Sequence, residues 1–427
     1  MQGIFYNEKF KEIKDKLVLY SFVALCCMSM LYDSTLIITD PVSKAVINFL
    51  IYTVIYFILA NLIVDVVFYK NEYTLFAIML FMLSVLVLRY SGDNSFLLCV
   101  MFMITMSKYR FDDIAKKSVY PLFATFFLII FLSSLNIIPD FIYGRGDGTY
   151  RYSLGFYYPT IVSSAYMFLI LIRIYVKKFS LSWLELISHV GVSVALYVLT
   201  DSRTGFLLCA AALILCVAYK LFFRKHKFEK LINLRAVKLL TTALPFISCS
   251  LFLLLVLLYF YGFEFAVIAD GFLSGRLYYT VNGFDQFPIS LFGTTIYMNG
   301  WGGYGYVTAA VDNYNYNYVD NGYMQIFFKF GISSMIAILI VYTLIMHQAV
   351  KEKNHNFIIV FIIILINCVI EPNLLLYSRN IFVLYASSFL YKKIDRMSLS
   401  ARYGHTITER SKRYYIPYNV YTLIKTG

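Results

Sequence analysis

Apolar residues fill this chain in long runs broken by short polar stretches. A helix that crosses a hydrocarbon core needs about 20 predominantly apolar residues. Twelve runs approach or reach that length: 17–37, 45–68, 73–90, 94–107, 119–138, 156–176, 184–200, 204–222, 239–261, 322–346, 356–371 and 376–391. The pattern predicts an all-α polytopic membrane protein, one membrane domain over 1–427, with about twelve transmembrane helices. The seventh and eighth runs meet in a tight hairpin near 200–204. One connection is far longer than the rest. Residues 262–321, rich in Gly and Tyr with Arg276 as their single cation, form a large loop on the outer side. Loops of that length are more often functional than accidental. Residues 392–427 read as a basic tail on the anionic inner leaflet.

Composition removes the soluble alternatives. The chain is 60% hydrophobic and 14% charged, with mean hydropathy +0.70. A soluble chain is nearer half apolar and a quarter charged. The formal net charge of +13 would suggest nucleic acid in a soluble protein. Sorting the cations by side removes that reading. With the N-terminus inside, 29 of the 37 Lys and Arg residues fall on the cytoplasmic side and 8 on the outer side. This is the positive-inside bias. Both termini are therefore expected in the cytoplasm, and no nucleic-acid partner is expected. The first run follows Lys9, Lys11, Lys14 and Lys16 without a small-residue cleavage site, and reads as an uncleaved span. The seven cysteines all lie in apolar runs, with no disulfide framework and no metal-ligand spacing. No internal repeat of the transporter kind stands out.

The outer cations are exceptions to the bias, which makes them informative. Arg145, Arg151, Arg203, Arg276 and Arg379 all fall on that side. Guanidinium is planar, always charged, and grips phosphate oxygens through paired hydrogen bonds. An outer arginine can instead snorkel to lipid headgroups or pair locally, as Arg203 could with Asp201 and Arg379 with Glu371. Tyr314, Tyr316 and Tyr318 alternate with Asn amides. Such rings suit either an interfacial belt or the C–H faces of a sugar.

At these residues the sequence resembles the O-antigen polymerase and ligase superfamily, most closely the Wzy-type polysaccharide polymerases. The resemblance is carried by Arg151-Tyr152-Ser153-Leu154-Gly155-Phe156-Tyr157-Tyr158-Pro159-Thr160, with Thr160 where Asn is usual, and by Asp201-Ser202-Arg203-Thr204-Gly205. It continues in Ser274-Gly275-Arg276 followed by Pro288 and Phe292-Gly293. It ends in Val319-Asp320-Asn321-Gly322-Tyr323-Met324-Gln325 with Lys329-Phe330-Gly331. Each motif is short; their order and common side make the set. The resemblance implies a membrane-embedded glycosyltransferase of the broad C type in the bacterial cytoplasmic membrane. It implies transfer of glycans carried on polyprenyl diphosphate, without nucleotide sugar, cofactor or essential metal. A chain-length regulator and a flippase are implied partners. The superfamily's ligases carry a His in the large outer loop. Here His189 lies in a span and His226, His347, His355 and His405 fall inside, which favours a polymerase. A ligase and a lipid-linked oligosaccharide flippase are the alternatives.

In such a transfer, negative charge grows on the bridging oxygen as polyprenyl diphosphate leaves, and fixed cations there raise the rate. Arg203, Arg276 and Arg379 are the candidates, with Arg145 and Arg151 beside the substrate. A carboxylate must take the acceptor's proton. Asp320 and Glu371 are the candidates, Asp320 first because it sits in the loop motif. Tyr314, Tyr316, Tyr318, Asn321 and Tyr323 are expected along the glycan.

Overall fold

The computed structural model describes residues 8–67, 73–144, 148–222, 235–300 and 316–390. The fold is mostly helical (76%). Eight described helices are long and apolar enough to cross a membrane, and three further apolar helices are shorter. The chain is a multi-pass membrane protein.

Nine helices follow the first nine apolar runs. They are α1 (Glu8–Tyr32), α2 (Pro41–Val67), α3 (Leu75–Ser91), α4 (Ser95–Met106), α5 (Phe111–Ser134), α6 (Pro159–Val176), α7 (Trp183–Thr200), α8 (Arg203–Phe222) and α9 (Arg235–Phe260). A small hairpin, β1 (Ile142–Gly144) with β2 (Tyr150–Tyr152), sits between α5 and α6. Two short helices, α10 (Glu264–Phe272) and α11 (Arg276–Gln286), then lead to α12 (Gly322–Lys351) and α13 (His355–Ile370). Polar side chains mark where helices start. Ser182 and Glu185 form a reciprocal capping box on α7, and the Asn321 and Asn354 side chains accept from the first turns of α12 and α13.

Burial sorts the helices into layers. In α6, 78% of the apolar window is buried, against 22% in α2, α7 and α9. Helix α6 is thus a central post packed by α5, α7 and α8. The outer helices expose rows such as Phe49, Tyr56 and Ile63, a surface suited to hydrocarbon and costly in water.

Two expectations change. Residues 376–391 do not form a helix of spanning length. Ile381–Ala386 is a 3-10 helix and Ser387–Leu390 a single α turn. All six 3-10 residues are buried, packed among α4, α5 and α12. A run buried on every side has no polar face, so its pattern cannot report its geometry. The segment still joins the two faces: Arg379 at its start pairs with Asp33, and Tyr385 donates to Glu352 Oε2 at 2.5 Å. Nor are residues 262–321 a plain loop. They hold α10 and α11, and α11 buries Leu277, Thr280 and Gly283 as one stripe. Residues 301–315 and 391–427 lie outside the described residues.

The connections alternate between two faces. One carries a buried ion cluster, in which Lys108 Nζ reaches Asp65 at 2.5 Å and Asp15 at 2.9 Å while Lys14 also pairs with Asp65. The other carries Asp33, Asp93, the β-hairpin, residues 201–202, α10–α11 and the connection 371–380. Two glycines fix close approaches on this second face. Gly331 breaks α12 with φ +83°, and a Cβ there would sit 2.5 Å from the backbone nitrogen of Gly293. Residues near 291 are clamped into this break, with Ile332 N and Ser333 N donating to Ser290 O and Leu291 O. At the start of α8, a Cβ on Gly205 would sit 2.5 Å from Ser163 Cβ. The end of α8 that bears Arg203 is thereby held against α6.

Candidate active site

A cavity of about 950 Å³ opens on the second face. Its walls come from every connection on that side, so residues hundreds of positions apart meet there. Arg151, Arg203, Arg276, Arg379, Tyr316, Tyr318, Asp320 and Glu371 all line it. Among the described residues, five cationic and five carboxylate side chains face the space, the latter being Asp33, Asp93, Asp201, Asp320 and Glu371. The walls are therefore close to neutral overall, and the pairing of each cation decides what it can do.

Arg276 is committed to the protein. Its Nε donates to Ile370 O at 2.7 Å, its Nη1 to Leu273 O at 2.7 Å, and its Nη2 to Glu371 Oε1 at 3.3 Å. It ties α11 to the end of α13 and satisfies one carbonyl at the end of α13 and one at the end of α10. Arg379 is 9% exposed and donates to Asp33 Oδ2 at 2.5 Å. The expected Glu371–Arg379 pair is thus replaced by two others, Glu371 with Arg276 and Asp33 with Arg379. The local chain explains this. Glu371 stops α13 in an extended conformation and faces α11, while residue 379 lies at the end of a connection that runs past α1. Arg151, in register opposite Tyr143, donates from Nε to Thr200 O at 2.8 Å and lies 5.6 Å over the Tyr158 ring. Lys329 pairs with Asp93 at 3.5 Å.

Arg203 differs. Helix α7 ends at Thr200, Asp201 turns the chain with φ +44°, and Arg203 opens α8. Its side chain is exposed at the cavity wall and makes no hydrogen bond or ion pair with any described residue. Asp201, its sequence neighbour, does not hold it.

Rings line the cavity as well. Tyr279 and Tyr316 pack edge to face with centroids 4.6 Å apart, and Tyr143 meets Tyr158 at 5.1 Å. The Tyr316 hydroxyl donates to Asp320 Oδ2 at 3.2 Å. Burial raises both carboxyls, Glu371 to about 7, against the pull of Arg276 on each. Burial also lifts the Tyr318 hydroxyl to about 12.

The remaining sequence candidates fall elsewhere. Asn321 is fully buried, accepts from Met324 N at 2.9 Å and donates to Val369 O at 2.6 Å. It caps α12 and ties that helix to α13. Tyr323 is 1% exposed and bonds Ser248 Oγ at 2.8 Å, away from the cavity lining. Both sit in the motif because the motif folds a helix start. Arg145 and Tyr314 lie outside the described residues. Sequence reading passed over Asp33, Asp93, Tyr158 and Tyr279. The two aspartates carried a signal: Asp33 is a lone carboxylate near the outer end of the run 17–37, and Asp93 lies just past the run 73–90 on the same side. No group of three or more metal-ligating side chains occurs among the described residues.

No protein-family profile matches this chain, and no curated protein or solved structure does either.

Proposed function

We propose that this protein is a membrane-embedded glycosyltransferase that joins oligosaccharide repeat units carried on polyprenyl diphosphate. The observation that carries the reading is the convergence of the Arg151, Arg203, Arg276, Asp320 and Arg379 motifs on one 950 Å³ cavity, with Arg203 left uncommitted. A transporter would keep its site between helices near the midplane, whereas this cavity is built mostly from the connections of one face, with the first turns of α6 and α12 beneath them. The cation partition fits that face being the outer side of a bacterial cytoplasmic membrane, crossed twelve times with both ends inside.

In this reading the donor's diphosphate lies against Arg203, a guanidinium unpaired among the described residues that can offer both arms of its fork. Charge developing on the bridging oxygen is met there as the anomeric bond breaks. The acceptor glycan lies along Tyr279, Tyr316 and Tyr318, whose ring faces suit sugar C–H groups. Arg276 and Arg379 hold the carboxylate side of the cavity in shape. Incubation of the purified protein with a synthetic polyprenyl-diphosphate repeat unit tests the proposal. A ladder of lipid-linked products is expected; an unchanged substrate would refute it.

A further inference from the structure

We infer that Glu371 takes the proton from the acceptor hydroxyl, with Arg276 as the residue that positions it and Asp320 as its ionised neighbour. The inference rests on the proposed glycosyl transfer. It reverses the order that the sequence motif suggests for the two carboxylates.

Both line the cavity, but they stand at opposite kinds of helix end. Glu371 is the C-terminal cap of α13. The C-terminal end of a helix carries partial negative charge, which disfavours a carboxylate; Arg276 and Asn321 meet Ile370 O and Val369 O there, so burial is the larger cause of the raised proton affinity. Asp320 directly precedes Asn321, the N-terminal cap of α12, where the field favours negative charge. Burial raises this carboxyl as well, but Arg276 and the Tyr316 hydroxyl, which donates to its Oδ2, both favour its ionised form, and its charge in turn raises Glu371. Two carboxylates in unlike surroundings divide into one that exchanges protons and one that stays charged. Arg276 keeps Glu371 usable. Two of its donors are fixed on Ile370 O and Leu273 O, so its third points at Glu371 Oε1.

The other groups facing Glu371 are Arg379 on its own connection, Arg151 on β2, and the Tyr158 and Tyr318 hydroxyls. Burial outweighs the arginines, and the carboxyl titrates near 7, where a general base works best. In the step itself the acceptor O–H bond breaks as its oxygen bonds the anomeric carbon. The proton goes to a Glu371 oxygen. The electron pair of the broken C–O bond leaves with polyprenyl diphosphate.

The test uses the full chain in lipid nanodiscs with a synthetic polyprenyl-diphosphate repeat unit. Glu371→Gln keeps the shape and a contact for Arg276. It is expected to lower turnover on the order of a hundred- to ten-thousandfold, with Kd for the lipid-linked unit unchanged. Wild-type turnover should fall as pH drops through about 7. Asp320→Asn removes a negative neighbour that raises Glu371, and should move that acid limb to lower pH by about one unit with turnover still measurable. A residue that only shaped the cavity would leave the limb where it is. Wild-type turnover in Glu371→Gln, or an acid limb unmoved by Asp320→Asn, would overturn the inference. If Glu371→Gln fails to accumulate, the Asp320→Asn profile decides alone. A wild-type protein that neither binds nor joins the unit would remove the proposed function and the inference with it, a result distinct from a misassigned base.

Discussion

Two corners of one cavity carry arginines that look alike in sequence and differ in the fold. At the α7–α8 tip, Arg203 is exposed and unpaired among the described residues. At the α11–α13 corner, Arg276 gives hydrogen bonds to two carbonyls and a carboxylate, and nearby Arg379 is held by Asp33. A guanidinium already engaged by buried partners adds to stability and fixes its neighbours. One without partners is available to a ligand. The lesson is that a cation's commitments, more than its presence, decide whether it binds or builds.

The largest expected effect falls on the committed side. Asp33→Asn strands the buried Arg379 charge. Breaking a buried pair from one side costs about 3 kcal/mol or more, so thermal unfolding in detergent should begin well below that of the wild type. Equal stability would mean that Arg379 is as free as Arg203, and the contrast between the corners would fail.

On the uncommitted side, Arg203→Lys keeps the charge and loses the planar fork. Polymer formation should fall on the order of a hundredfold, while stability stays within about 0.5 kcal/mol of the wild type. Activity assays run beside melting curves separate the two. A stability loss with normal activity would reverse the assignment.

How much of this was legible beforehand follows the same division. Eleven of the twelve apolar runs form helices, α1–α9 with α12 and α13, and were readable because a membrane span must be apolar along its length. Arg203 was readable because a tight tip between two spans isolates one cation on the unexpected side. The partners of Arg276 and Arg379 were not. Glu371 is 95 positions from Arg276, and Asp33 is 346 positions from Arg379. Each pairing is decided by how α1, α11 and α13 pack, which local pattern does not encode. Residues 381–386 misled for a related reason: burial on every side erased the periodicity that would have separated a 3-10 segment from a helix. Asn321 shows the converse. Its motif resemblance suggested substrate, and its geometry is that of a cap.

Two smaller effects sharpen the comparison. Asn321→Ala removes that cap and should cost about 1 kcal/mol, with Kd for the lipid-linked unit unchanged. A weakened Kd at wild-type stability would return Asn321 to the binding surface. Glu371→Gln should change how stability depends on pH. The folded carboxyl holds its proton up to about 7, from an ordinary value of 4.5. Its stabilising contribution is therefore complete below the ordinary range and lost as pH rises through 7. The Gln protein, which cannot ionise there, should lose less stability than the wild type between pH 5 and pH 8. Parallel melting curves across that range would show that Glu371 does not titrate in it.

The central claim is glycan joining on a lipid diphosphate, and one measurement meets it directly. Purified wild-type protein in lipid vesicles is given a synthetic polyprenyl-diphosphate repeat unit, and mass spectrometry follows both the lipid-linked glycan and free polyprenyl diphosphate. The account predicts lipid-linked dimers and longer products, with one polyprenyl diphosphate released for each bond made. Repeat units that cross the bilayer unjoined, or stay unchanged with no diphosphate released, would contradict it.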